Sequence, residues 1–282
     1  MIAFNGQYLP AASHGNMRIT AACLGGQWVI VSKNWLVAAT QQAIIAAFGA
    51  EEGIAVISRT NDYLNAIVLT DPTRAQQLAM FINEDPLLVT SLVETSKTRW
   101  LVGDGKAYVD SDVNLSLVSS PSVSIYFKYV ESGGNYNTIF GGWYSNTKNT
   151  GIWINNNCIH SRWGQISGTT YNTAPCLVGT EHLIYADMEK LQYDNNTIYT
   201  DINKITYDGN NPIFATYRAS YYEMYGKINI SHLKIKDGTT PIREMYPFTR
   251  NGENGMLDII SGTFHPNANT AGAFTIAITD KQ

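Results

Sequence analysis

The feature that most constrains the fold is a long succession of short β-runs after Lys97. Segments such as SVSIYFKYV, TGIWINNN and KINISHLKIK are separated by turn-forming sequences such as SGGN, DGNNP and NGENG. Many short strands at this spacing are typical of a β-sandwich or a closed barrel. We therefore predict an all-β fold for residues 97–282.

Two hairpins and one domain boundary can be predicted within this pattern. GIWINNNCIHSRWG indicates a hairpin around an asparagine-rich turn. ISHLKIKDGTTPIREMYP indicates a second hairpin, whose loop we expect to be longer than two residues. The polar stretch ETSKTRW places the boundary of this domain between Glu94 and Trp100.

Residues 28–96 alternate in type instead of repeating one period. WVIVSKNWLV, GIAVISRT, NAIVLTD and PLLVTSLVET have the pattern of strands, and two segments between them have apolar residues at helical spacing. The order βαββαβ predicts a small ferredoxin-like α+β module. Residues 1–27 have no confident period, so we predict an N-terminal arm that becomes ordered by docking on a partner.

Composition excludes several partners. The net charge of −4 and the absence of a basic run leave no electrostatic footprint for nucleic acid. No apolar stretch approaches the ~20 residues of a membrane-spanning helix, and the first residues lack the pattern of a signal peptide. We therefore expect a chain made in the cytoplasm that binds neither nucleic acid nor membrane.

Two stretches resemble laminin-G-like, concanavalin A-like lectin/glucanase jelly rolls. These are WLVGDGKAYVDSDV and the closing segment GKINISHLKIKDGTTPIREMYPFTRNGENGMLDIISGTFHPNANTAGAFT. The residues that carry the resemblance are Lys236 to Gly238, Arg250, Asn251, Gly255 to Asp258, Thr263 to His265, and Ala271 to Phe274. Such domains abound in gut Bacteroidales and their tailed phages. The resemblance covers the chain from Lys97 onward and concerns fold rather than activity.

The resemblance implies two functions of different kinds. A small N-terminal module before a phage-type jelly roll is similar to the build of a virion head fibre or capsid decoration, which would attach to other virion proteins, form homo-oligomers and display its sandwich outward. The alternative is a lectin-like adhesion module, or a tail-fibre receptor-binding protein, that recognises cell-surface or mucosal glycans. We expect the virion role first, the lectin role second and an enzyme third.

Aromatic residues are the candidates for binding, since sugar faces stack on aromatic rings while asparagines bond hydroxyls. Their alternative role is core packing, because in GIWIN either Trp153 or its two isoleucine neighbours must face the core. The candidate glycan-binding residues are Trp143, Tyr144, Trp153, Trp163 and Tyr171. The candidate assembly contacts are Phe4, Tyr8, Leu9, Trp28 and Trp35.

Catalytic and metal-binding patterns are weak. The sandwich half lacks the Glu-x-Asp-x-(x)-Glu alternation that resembles glucanases of this fold, and its nearest acidic cluster, Glu181, Asp187 and Glu189, is expected to be solvated. No cofactor is predicted, although Asp104, Asp110 and Asp112 leave calcium open as an alternative. The histidines of this half are expected singly at surfaces or edges. The three cysteines, Cys23, Cys158 and Cys176, are expected to stay reduced.

Overall fold

The computed structural model describes most of the chain after residue 96 and selected strands before it. Before residue 70 it describes the backbone of 2–4, 7–9, 19–24, 27–32, 55–59 and 64–69. Beyond that it describes residues 81, 84, 85, 87, 88, 91, 97–130, 137–145, 148–161, 171–199, 209–218, 221–223 and 225–280. The chain divides into two compact units, residues 1–99 with 278–281 and residues 100–277 with 282.

The strands described in the first unit are β1 (Ile2–Phe4), β2 (Gln7–Leu9), β3 (Ile19–Leu24), β4 (Gln27–Ser32), β5 (Ala55–Arg59) and β6 (Leu64–Leu69). β1 and β2 form an antiparallel hairpin, and the other four form an antiparallel sheet in the order β3-β4-β6-β5. Strands β4, β5 and β6 coincide with predicted β-runs. β1, β2 and β3 lie in the segment for which the sequence predicts an arm.

The last strand predicted for the α+β module is wrong. Leu88 and Ser91 are helical, where PLLVTSLVET predicts a strand. Leu88 is buried while Leu87 is 46% exposed, a contrast between neighbours that fits a helix as well as a strand. A short apolar run does not distinguish these two periods by itself. The helix predicted after Ala38 lies outside the described residues, and the ferredoxin-like module is unconfirmed.

The second unit is almost entirely β-structure, as predicted. A 3-10 turn occupies Leu115–Leu117. The strands are β7 (Lys97–Gly103), β8 (Val109–Asp110), β9 (Pro121–Tyr129), β10 (Asn137–Ser145), β11 (Lys148–Asn155), β12 (Cys158–Ser161), β13 (Tyr171–Pro175), β14 (Glu181–Ala186), β15 (Leu191–Tyr193), β16 (Asn196–Tyr199), β17 (Pro212–Ile213), β18 (Thr216–Arg218), β19 (Tyr221–Glu223), β20 (Ile228–Asp237), β21 (Thr240–Arg250), β22 (Glu253–Asp258), β23 (Phe264–Pro266) and β24 (Phe274–Asp280). Within the described residues, no helix has the length and apolarity that a bilayer crossing requires.

These strands form two large sheets. The ten-stranded sheet has the order β16-β15-β14-β9-β20-β21-β22-β23, with β7 pairing with both β20 and β24. The eight-stranded sheet has the order β13-β12-β11-β10-β17-β8, with β18 pairing with β10 and β19. The strand pairs of these sheets whose register is described are antiparallel, apart from the parallel pair β10 and β18.

One apolar core takes side chains from both sheets. Alternate residues of β9, including Ile125 and Phe127, are fully buried in it, and so are Ile152 and Ile154 of β11. Two sheets that share a core through their inner faces form a β-sandwich. Each strand then has a second set of side chains on its outer face, and the candidate site lies on such a face.

The two predicted hairpins differ in outcome. The β11–β12 turn places Asn156 and Asn157 at positive φ, 51° and 58°, as an asparagine-rich two-residue turn requires. The long loop predicted between β20 and β21 is wrong, because Asp237 pairs with Thr240 and only two residues lie between them. Asp237 is fixed there by its carboxylate, which accepts a hydrogen bond of 2.8 Å from the amide of Ser120.

The loops that close the sandwich are joined by one asparagine. Asn267 Oδ1 accepts hydrogen bonds from the amides of Tyr108 (3.2 Å) and Asn269 (3.0 Å), and its Nδ2 donates to the carbonyls of Asn269 and Gly272, each at 2.7 Å. The side chain thus replaces water for four backbone groups in the segment that carries the jelly-roll resemblance.

Replacing Asn267 by alanine is expected to destabilise the protein by about 1–3 kcal/mol, because backbone groups lose their partners. Asn267→Asp keeps both acceptor bonds but places a carboxylate oxygen against the carbonyl oxygens of Asn269 and Gly272, so it should be at least as destabilising as alanine. Urea denaturation of the three proteins checks the order. An Asn267→Ala midpoint equal to that of the parent would contradict the network.

Candidate functional site

The outer face of the ten-stranded sheet carries a group of side chains around one exposed aromatic ring. Because Ile125 and Phe127 point into the core, the side chains that alternate with them along β9 point outward. Strand register places outward residues of β14 and β20 beside them. We call this group the Tyr126 face: Glu181, Leu183 and Tyr185 of β14, Ser124, Tyr126 and Lys128 of β9, and Asn229, His232 and Lys234 of β20.

Tyr126 lies at the centre of this face and is 44% exposed. Its register partners are Leu183 on one side and His232 on the other. Its ring stacks on His232, with centroids 5.6 Å apart and planes 25° apart, and His232 stacks on Tyr246 at 4.5 Å and 12°. The stack holds a half-exposed aromatic ring in one orientation, which lowers the entropy lost when a ligand packs on it.

A buried carboxylate supports the stack from the side. Glu244 accepts a hydrogen bond of 3.0 Å from the Tyr246 hydroxyl and lies 3.3 Å from His232 Nε2 and 2.9 Å from Lys234 Nζ. Burial by itself raises the pKa of Glu244, but the hydrogen bond and charge of His232 and the ammonium of Lys234 outweigh it, so the pKa is lowered. Glu244 therefore stays ionised and orients the residues behind Tyr126.

This lowered pKa predicts an acid-dependent loss of stability. A carboxyl whose pKa is lower in the folded than in the unfolded chain stabilises the fold above its unfolded pKa, about 4.3, and loses that contribution as pH falls through the folded value. Glu244→Gln should be less stable by about 2 kcal/mol at pH near 7 and should lack this part of the acid transition. Urea titrations between pH near 7 and pH near 3 measure both, with exposed Glu253→Gln as control. Parallel profiles for parent and Glu244→Gln would contradict the ion pair.

Polar groups border the Tyr126 ring on two sides. One row holds Glu181, Lys128 and Asn229, and the row on the other side of the ring holds Tyr185, Ser124 and Lys234. An aromatic ring between rows of donors and acceptors is an arrangement that can stack on a sugar ring and bond its hydroxyls.

Tyr185 belongs to the border rather than to the stacking surface. Its hydroxyl donates to Asp187 Oδ2 (2.8 Å), and Lys190 Nζ lies 5.7 Å from its ring centroid. Burial, and then the hydrogen bond to Asp187, raise the pKa of Tyr185 to about 12. The ring and hydroxyl therefore already have partners.

The aromatic residues predicted from the sequence are described only in part. Trp153 is 8% exposed and stacks on His160 at 5.9 Å and 13°, while Ile152 and Ile154 face the core. Trp153 is therefore a packed residue of the outer face of the eight-stranded sheet rather than an open platform. Trp143 and Tyr144 lie in β10 and Tyr171 lies in β13, but the side chains of these three residues are outside the described set. Trp163 lies outside the described residues.

The predicted assembly contacts fall in the first unit, where the description is limited to backbone. Phe4 lies in β1, Tyr8 and Leu9 in β2, and Trp28 in β4. Trp35 lies outside the described residues. The assembly role of these residues stays a prediction.

The three aspartates weighed for calcium do not form a cation site. Asp104 accepts from the amides of Lys106, Ala107 and Ala273, and although burial opposes it, these bonds lower its pKa. Asp110 accepts from the amide of Asp112, whose own carboxylate lies 3.4 Å from His265 Nδ1. Among the described residues, no three acidic, histidine or cysteine side chains are arranged to hold a metal ion. The residues present thus do not fit calcium, and each aspartate has a structural contact.

The acidic cluster is not the solvated group that the sequence predicts. Asp187 organises the β14–β15 turn: its Oδ1 accepts from the amides of Glu189 (2.7 Å) and Lys190 (2.8 Å). Glu181 is half-buried on the Tyr126 face, and Glu189 alone is exposed. The alternating pattern fails here because residues 187–190 form a turn rather than a strand.

Two histidines are buried, contrary to the expectation of surface positions. His265 is 4% exposed, and His182 is 5% exposed with Nε2 donating to the Leu177 carbonyl (3.1 Å) and Nδ1 2.7 Å from Asp194 Oδ2. The Cys176 thiol is linked to His182 through the hydroxyl of Tyr193, which contacts both side chains. Burial raises the pKa of the Cys176 thiol to about 12, so the thiol stays protonated and is a poor nucleophile. Cys158 and Cys176 are free thiols, and the Cys23 side chain is outside the described set.

The Tyr126 face was missed by the sequence prediction, although SVSIYFKYV contains a signal for it. Strict alternation puts Val123, Ile125 and Phe127 on one side and leaves Tyr126 with serines and a lysine on the other. A large aromatic residue is unusual on the polar side of a strand, so Tyr126 could have been predicted as a candidate from the sequence. Its neighbours on β14 and β20 could not have been predicted, because their placement depends on the order of strands in the sheet.

Comparisons with known proteins return distant structural similarities. No family model and no curated protein matches the sequence. A Bacteroides ovatus protein, provisionally described as carbohydrate binding, matches with a TM-score of 0.48 and 9% identity over 92% of this chain and 70% of its own. The CBM40 of Ruminococcus gnavus IT-sialidase, bound to α2,6 sialyllactose, matches with a TM-score of 0.32 and 11% identity over 48% of this chain and 89% of its own.

A Trypanosoma rangeli sialidase in complex with sialic acid also matches, with a TM-score of 0.35 and 9% identity. The match covers 78% of this chain and 50% of the sialidase. TM-scores below 0.5 at such identities do not establish a shared fold, and the ligands of these proteins are not transferred to this chain.

Proposed function

We propose that this protein is a non-catalytic carbohydrate-binding module whose ligand packs on the Tyr126 face. The observation that carries the proposal is the half-exposed Tyr126 ring, held by its stack on His232 and bordered by two rows of polar side chains. Sugar rings present an apolar face to such a surface and hydroxyls to its rim. The lectin-like alternative therefore has a specific surface in support of it.

The acidic residues in the described part of the sandwich favour binding over hydrolysis. Most glycoside hydrolases use a pair of carboxyl groups that flank the bond that is broken. Glu244 is fully buried against His232, Lys234 and Tyr246, and Asp258 is fully buried with its oxygens bonded to the amide of Glu244 and to Ser261. Neither carboxylate is available to a bound sugar, so the Tyr126 face offers a single carboxylate, Glu181, where that mechanism needs two.

The virion role implied by the resemblance, with its virion location and partners, stays a prediction. The described contacts do not bear on attachment or oligomerisation. No specific contact favours a head fibre or capsid decoration over another protein with a β-sandwich.

A glycan array probed with the intact chain tests the proposal. We expect binding to at least one class of oligosaccharide, confirmed by calorimetry in solution. If Tyr126→Ala, which removes the ring, retained binding, the glycan site would lie elsewhere on the protein. Absence of binding to any glycan would overturn the proposal.

A further inference from the structure

Two oxygen atoms in the row next to Tyr126 have no hydrogen-bond partner among the described residues. They are Asn229 Oδ1 and Glu181 Oε1, and both atoms are buried. Asn229 as a residue is 9% exposed. Buried polar atoms in proteins are nearly always bonded, and an exception in a candidate site points to a missing partner.

These two atoms belong to one row of the Tyr126 face. Glu181 and Asn229 are the two register partners of Lys128, which lies two residues from Tyr126 on β9. Two residues along a strand span roughly 7 Å, which places this row within reach of a sugar stacked on the ring. Hydroxyls at the edge of that sugar can therefore meet the row.

Both unsatisfied atoms are acceptors, and one belongs to a carboxylate. They require O–H or N–H groups from a ligand. The other lysine of the face, Lys234, is already engaged by Glu244 at 2.9 Å, and Lys128 lies opposite Glu181 in the register. A ligand carboxylate supplies no hydrogen to these oxygens and is repelled by Glu181.

We propose that the Tyr126 face selects neutral or amino sugars and discriminates against sugars that carry a carboxylate, an inference that rests on the proposed function. A bound sugar donates hydroxyl or ammonium hydrogens to Glu181 and Asn229. Lys128, which is half-exposed and has a flexible four-carbon stem, swings aside to admit it.

The test uses oligosaccharides that differ only in a carboxylate, such as mannohexaose and the hexamer of mannuronic acid, together with equivalent neutral and acidic pairs on an array. At low salt the neutral member of a bound pair should bind at least about tenfold more tightly, and the ratio should shrink as added salt screens Glu181. Glu181→Gln keeps an acceptor oxygen but removes the charge, so it should lower the ratio several-fold. Glu253→Gln makes the same charge change at an exposed position on β22 and should leave it unaltered.

A second readout does not depend on affinity. The side-chain signals of Asn229 and the carboxyl carbon of Glu181 should shift in NMR when the preferred neutral glycan is added. Equal or tighter binding of the acidic members, or an unchanged ratio in Glu181→Gln, would overturn this inference while leaving the proposed function in place. Failure of every glycan to bind would overturn the proposed function, and the inference with it.

Discussion

Gly141→Ala is expected to unfold the sandwich or to destabilise it by more than about 4 kcal/mol, a large part of the 5–15 kcal/mol that holds most domains together. Gly141 lies in β10 opposite Gly151 of β11, with φ at 134°. An added Cβ would overlap with the carbonyl oxygen of Thr150 and lie 2.5 Å from the Gly151 Cα. Both obstacles are backbone atoms of a paired strand, which cannot move aside without breaking the sheet.

A second glycine separates this steric effect from ordinary backbone strain. Gly238 also has positive φ, 59°, but an added Cβ there would meet nothing within 4 Å. Gly238→Ala should therefore cost only about 1–2 kcal/mol, the strain of a left-handed residue. Thermal and urea denaturation followed by circular dichroism compare the variants. Similar midpoints for Gly141→Ala and the parent would show that β10 and β11 do not approach as described.

The second large effect is on binding. Tyr126→Ala is expected to weaken glycan affinity by about 10- to 100-fold, the loss typical of a central aromatic contact. Tyr126→Phe keeps the ring and its stack on His232, so it should stay within a few-fold of the parent. Because Tyr126 is 44% exposed, neither change should strongly affect folding, which the same denaturation curves verify.

The control for Tyr126 is another exposed apolar side chain. Leu117 is 79% exposed in the 3-10 turn before β9 and does not belong to the strands that form the Tyr126 face. Leu117→Ala should bind as the parent does in calorimetry. Equal weakening by both alanine variants would indicate a nonspecific effect of lost apolar surface, and no weakening by Tyr126→Ala would exclude this face.

Strand prediction worked where alternation and turn chemistry agreed. SVSIYFKYV and the asparagine-rich turn of β11–β12 are examples, because each residue type matches the backbone that it adopts. The strand prediction for PLLVTSLVET failed because this segment is apolar without clear alternation. Its helical residue Leu88 is buried. The prediction of a solvated Asp187 failed because local sequence does not distinguish a carboxylate that accepts hydrogen bonds from its own turn from one that faces solvent.

The candidate site shows a further limit of sequence reasoning. Tyr126 is visible as an aromatic residue on a polar strand face, yet Glu181 and Asn229 join it only because β14 and β20 flank β9. Glu181 is 55 residues from Tyr126 and Asn229 is 103, so no local spacing relates them. Tryptophan-rich segments attracted the glycan prediction instead, and Trp153, the one candidate tryptophan whose side chain is described, is packed.

The most direct test of the account is an NMR titration of the labelled intact chain with a glycan that binds on the array. The account predicts shift changes centred on Tyr126, Leu183, His232 and Asn229, together with nuclear Overhauser effects between the Tyr126 ring protons and sugar ring protons. Shifts confined to the eight-stranded sheet around Trp153 and His160, with the Tyr126 ring unperturbed at saturation, would contradict it.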